Sequence, residues 1–150
     1  MATITSMFLN TIPRVLLGLI FLFGAIDGFS FIFTGSHLML PSTSDAGLAF
    51  ERALKETGFF WPLMKTVQLA GAVLLLSNRA PALGLALLVP IVTVIVFFHA
   101  VLNPSGLPMA VFLVLISGLV FRTQAPRFVV LFSPGVPQQT VSNGHVNAGT

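Results

Sequence analysis

Four long apolar runs, at residues 13–33, 59–77, 81–102 and 107–121, set the pattern of this chain. Runs of about 17–25 apolar residues are long enough to cross a bilayer as α-helices. The first is broken only by Asp27 and Ser30, and the last is short for the purpose. Pro62 suits the first turn of the second helix, and Pro90 predicts a kink inside the third. The breaks Asn78-Arg79-Ala80-Pro81 and Asn103-Pro104-Ser105-Gly106 read as tight turns. Connections this short make the second, third and fourth helices sequential antiparallel neighbours. The expected architecture is an all-α integral membrane four-helix bundle.

Between the first two runs the pattern changes. Ala46, Ala49, Phe50, Ala53 and Leu54 recur at helical spacing, with Glu51, Arg52, Lys55 and Glu56 between them. That periodicity predicts an amphipathic helix over about residues 45–57, either lying in the membrane interface or packed as a solvated linker on the bundle mouth. Beyond Phe121 come Arg122 and Arg127, and then residues 128–132, which are expected to dip back into the interface. Residues 133–150 are rich in Pro, Gly, Gln and Asn and read as a disordered tail.

Composition narrows the class further. Hydrophobic residues make up 55% of the 150 and charged residues only 7%, with a mean hydropathy of +0.99. Soluble domains carry about a quarter charged residues, so an ordinary cytosolic domain, a disordered chain and a nucleic-acid binder are all excluded. The seven Lys and Arg are scattered singly and form no basic patch. They do carry orientation. Arg14, Arg79, Arg122 and Arg127 flank one side of the spans, Arg52 and Lys55 the other. Four against two places both termini in the cytoplasm, with a bacterial inner (plasma) membrane as the expected location. Cysteine is absent, which removes disulfides, iron–sulfur clusters and covalently attached c-type haem.

Polar residues inside the spans are the candidate chemistry, because each is costly there unless it is paired. Asp27 and Lys65 each lie about 9 Å in from the outer face, at about 1.5 Å per residue. Gln68 shares a helix face with Lys65, and His99 stands near the outer end of the third span. Four polar side chains from three helices therefore converge in the outer half as ligand-binding candidates. Asp27 and Lys65 are expected within ion-pair or single-water reach, as a purely structural arrangement or as part of a site. Gly24 and Gly28 form a GxxxG pair suited to close helix packing. His37 and His99 raise a metal or bis-histidine haem site, but no third ligand accompanies them and no metal is expected. Trp61 and the Phe residues read as lipid-facing and belt residues. There is no P-loop, GxGxxG or HExxH pattern.

Residues 14–24, Arg-Val-Leu-Leu-Gly-Leu-Ile-Phe-Leu-Phe-Gly, resemble the opening helix of the DoxX family of small four-helix membrane proteins. Residues 65–76, from Lys65 through Gln68 and Gly71, are similar to its second helix. Pro90 to His99, followed by Asn103-Pro104-Ser105-Gly106-Leu107, looks like the third helix and turn of a DoxX-like subgroup. The resemblance spans about residues 11–132. It implies kinship with a subunit of a thiosulfate:quinone oxidoreductase, with membrane partners of redox enzymes, or with chaperone-like four-helix proteins. Two departures stand out. Gln68 occupies the position of a frequent Glu, and Asp27 stands near where many members carry Lys.

Two kinds of function follow as expectations. One is a quinone- or lipid-binding membrane subunit that assists a redox partner and carries no intrinsic cofactor. In it Lys65 or His99 would bond the ligand, and Phe50 and Leu54 of the amphipathic helix would cover the site. The other is a non-catalytic scaffold, assembly factor or chaperone-like protein, with homo-oligomerisation left open. A small transporter is disfavoured, because no inverted repeat is visible.

Overall fold

The computed structural model describes residues 7–40 and 42–130, so the expected tail at 133–150 lies outside the described residues. Among the described residues the chain is all-helical. A π-helical turn, Met7–Thr11, leads into α1, Ile12–Thr34. Helix α2 is Asp45–Glu56, α3 is Phe60–Leu76 and α4 is Pro81–Phe97. Helix α4 continues as a π-helical turn, Phe98–Leu102, and a 3-10 turn, Pro104–Gly106, opens α5, Leu107–Val129. Three stretches are long and apolar enough to cross a membrane: Phe8–Thr34, Pro81–Leu102 and Pro104–Val129. The pair α2 and α3, bent by 95° at their junction, makes a fourth if it is one broken span.

Local chemistry explains the ends. Proline in the first turn starts α1, α4 and α5, where its missing N–H costs nothing. Gly35, at φ 74, closes α1 by donating its N–H to the Phe31 carbonyl at 2.9 Å. Ser44 caps α2 by accepting from the Gly47 N–H at 3.1 Å, with Asp45 in the first turn and Lys55 in the last. Gly58, again at φ 74, makes the sharp corner into α3. At the far end of α3, Arg14 donates to the Leu75 carbonyl, which also accepts from the Asn78 N–H at 3.3 Å.

Helices α1, α3, α4 and α5 pack in a closed ring, α1 against α3 and α5, and α4 against α3 and α5. Leu17, Phe21, Leu75, Leu88, Leu113 and Val120 fill the centre. The outward faces are apolar too: Phe23, Leu63, Leu83, Val94 and Leu115 are all exposed. Meanwhile Lys65, Gln68, Asn103 and Ser117 are buried. An apolar outer face around an apolar core that also holds a few polar groups is not the surface of a water-soluble domain.

The last helix runs past the apolar stretch 107–121, through Arg122, Pro126 and Arg127 to Val129, and Phe128 packs on the core; residues 131–132 of the expected interfacial stretch lie outside the described residues. Charged residues end a membrane span without ending a helix, because arginine is a good helix former. Arg127 donates to Gln124 one turn earlier at 2.7 Å.

Candidate functional site

The inner face of α2 is not the stripe that hydrophobicity selects. Ala46, Ala49 and Ala53 are exposed, while Gly47, Phe50, Glu51, Leu54 and Lys55 turn inward. The set still has i, i+3, i+4, i+7, i+8 spacing, rotated by one position. Alanine has little area to bury, whereas Phe50 packs at a tilt against Phe98, ring centres 5.8 Å apart, and the Lys55 ammonium finds aromatic partners. Gly47 lets the helix approach, since a Cβ there would lie 3.0 Å from the Phe98 ring.

Beneath α2 the four ring helices enclose an open-sided cavity of about 360 Å³. Its walls are mainly apolar, including Ile20 and Phe21 of α1, Ile91 and Ile95 of α4 and Leu113 of α5, with Phe50 and Leu54 above. Four polar side chains reach it: Lys65, Gln68, His99 and Glu51. The first three are sequence candidates that the fold brings together. Asp27 does not line the cavity.

Lys65 is buried, and its alkyl stem lies across Gly28, where any Cβ would collide with it. Its ammonium donates to the Gly24 carbonyl at 3.2 Å and sits 4.6 Å from the centre of the Trp61 ring. A Cβ at Gly24 would meet nothing within 4 Å. The GxxxG pair thus accommodates a lysine side chain. Trp61, at 7% exposure, is not a lipid-facing belt residue but part of the cavity wall. Its position was legible, since Trp61, Lys65 and Gln68 fall at i, i+4, i+7 on one helical face. Gln68 Oε1 and Trp61 Nε1 are buried with no hydrogen-bond partner among the described residues.

His99 is fixed from behind. Its Nδ1 lies 3.1 Å from the Asn103 carbonyl, which can only accept, so Nδ1 carries a proton and donates it there. The ring rests on Gly106, where a Cβ would overlap it. Asn103 also accepts from the Ser44 N–H at 3.3 Å and donates to the Ser42 carbonyl at 3.4 Å. Ser44 donates in turn to the Leu102 carbonyl. One turn therefore positions His99 and moors the start of α2.

The other end of α2 is moored by groups the sequence reading assigned elsewhere. Asp27 does not pair directly with Lys65. Its carboxylate accepts from His37 Nδ1 at 2.8 Å and from the Leu38 and Met39 N–H groups at 2.7 and 3.1 Å. Lys55 donates to His37 Nε2 at 3.0 Å, lies 3.5 Å from Glu51, and sits over the rings of Phe31 and Trp61 at 4.2 and 4.6 Å. His37 stacks on Phe31 at 4.5 Å. Both its nitrogens are thus engaged within the protein, and it does not face His99 as a second ligand. Among the described residues no group of three or more His, Cys, Asp or Glu could hold a metal ion.

No family model, no curated protein and no solved structure matches this chain.

Proposed function

We propose that this chain is an integral membrane four-helix bundle of DoxX-like type whose cavity binds a quinone or lipid in service of a redox partner in the same bilayer. The observation that carries the reading is the cavity itself. An apolar chamber of about 360 Å³ with a few convergent polar groups suits a small amphiphile: the walls take its apolar body, and Lys65, Gln68 and His99 orient its head. Helix α2, running nearly across α3, supplies a cover at the interface. The DoxX-like resemblance supplies the redox context, and any electron-carrying centre would belong to the partner. Native mass spectrometry of protein extracted gently from its membrane tests this. A bound quinone or lipid is expected, and its retention should fall with His99→Ala and with Gly106→Ala, which displaces the His99 ring. Co-purification of a stoichiometric protein with no small ligand would favour the scaffold reading instead.

The Lys and Arg split, four against two, supports a topology with both termini in the cytoplasm. The cysteine-free sequence permits clean single-cysteine labelling. A membrane-impermeant thiol reagent on intact cells should label Glu56→Cys at the end of the cover helix and spare Arg79→Cys in the opposite turn. The reverse pattern would invert the topology.

A further inference from the structure

We propose that the ligand of this cavity is an amphiphile with an anionic head group, and that Lys65 is its counter-ion; this deepens the cavity reading above and rests on it. The chain has four Asp and Glu residues in all, and none lies within salt-bridge distance of Lys65. Asp27 is committed to three donors from the segment that follows α1. Glu51 is the one carboxylate lining the cavity, and it is paired with Lys55. Asp45 and Glu56 stand at the two ends of α2 and line no part of the cavity.

Lys65 is 8% exposed, with a carbonyl dipole and an aromatic face as its neighbours. Those contacts hold the ammonium in place, the Asp27 and Glu51 carboxylates act on it only from beyond salt-bridge distance, and an ammonium has three donors to spend. A buried cation in apolar surroundings is stabilised far more by a full opposite charge than by a neutral acceptor. The walls decide the rest of the ligand. Ile20, Ile91, Ile95 and Leu113 suit an alkyl chain, and the open side lets a tail longer than the cavity run into the bilayer. A carboxylate, as in a fatty acid, and a phosphate, as in a lysolipid, share this chemistry.

The fold contains its own reporter. Trp61 is the single tryptophan and there is no tyrosine, so emission excited above about 295 nm comes from the ring beside which the Lys65 ammonium sits. Full-length protein in phosphatidylcholine nanodiscs would be titrated with oleate, oleoyl lysophosphatidic acid, oleyl alcohol and decylubiquinone. Oleate or the lysophosphatidate should change Trp61 emission saturably, binding about tenfold or more tighter than oleyl alcohol. Lys65→Met should abolish that preference and Lys65→Arg should retain it. Saturation by only one of the two anions would identify the head as carboxylate or phosphate. If oleyl alcohol or decylubiquinone bound as tightly as both anions, the anionic head group would be overturned while the cavity reading stood. If none of the four bound, the cavity reading would itself fall. The wild-type comparison of charged with neutral ligands decides the matter even if a Lys65 variant does not fold.

Discussion

Gly84→Leu is expected to be among the most damaging substitutions in this protein, costing about 3 kcal/mol or more through overpacking. A Cβ at Gly84 would sit 2.9 Å from the Gly71 carbonyl oxygen, and one at Gly71 would meet Leu88 at 2.6 Å. At Gly84 the obstruction is the backbone of the facing helix, which cannot rotate away as a side chain does. Helices α3 and α4 would have to separate, and dispersion contacts between close backbones are much of what joins helices in lipid. Gly118→Ala is the control, because a Cβ there meets nothing within 4 Å. It should be neutral, or stabilising by up to about 1 kcal/mol through helix propensity. Thermal unfolding in mild detergent measures both. Equal melting temperatures for Gly84→Leu and wild type would refute the close packing.

The second large effect is expected at Asp27. Removing its carboxylate in Asp27→Ala strands the Leu38 and Met39 N–H groups and the His37 ring together. Leaving a buried donor unsatisfied costs about 1–3 kcal/mol, but Asp27 and His37 side chains are 18% and 15% exposed, so water recovers part of it. A net loss of about 2 kcal/mol follows. Asp27→Asn should cost less overall yet still loosen α2. Its amide oxygen can serve the two backbone donors, but its NH₂ would face His37 Nδ1. That ring would then carry its proton on Nε2, against the Lys55 ammonium. The expected readout for both variants is a rise in acrylamide quenching of Trp61 as Lys55 leaves its ring. Unchanged quenching and melting would show that the Asp27–His37–Lys55 chain does not hold α2 down.

Much of this molecule is written locally. Hydropathy and helical period place the apolar helices, because both depend on residues a few positions apart. The same periodicity puts Lys65 and Gln68 on one face of α3, and would have added Trp61. The last helix, which outruns its apolar stretch by two turns, shows what hydropathy does not report. Arg122 and Arg127 change how a segment meets lipid but not whether it can remain helical.

Partner choice is another matter. Equal depth in two helices made Asp27 and Lys65 look like an ion pair, but depth says nothing about the path of the connecting segment. Gly35, in its left-handed conformation, turns the chain so that His37, Leu38 and Met39 present donors to Asp27. Those nearby donors claim the carboxylate at little cost in loop closure, and Lys65 is left to Gly24, Trp61 and the cavity. The inward face of α2 was likewise settled by what it meets: an aromatic enclosure for Lys55 and the Phe98 ring for Phe50 outweigh three small alanines. The sequence alone determined an all-helical chain with long apolar helices, and it nominated Lys65, Gln68 and His99. Only the tertiary structure decided that these three share a cavity while Asp27 serves its cover, because hydrogen bonds and ion pairs form between groups that the fold, and not the spacing, brings within reach.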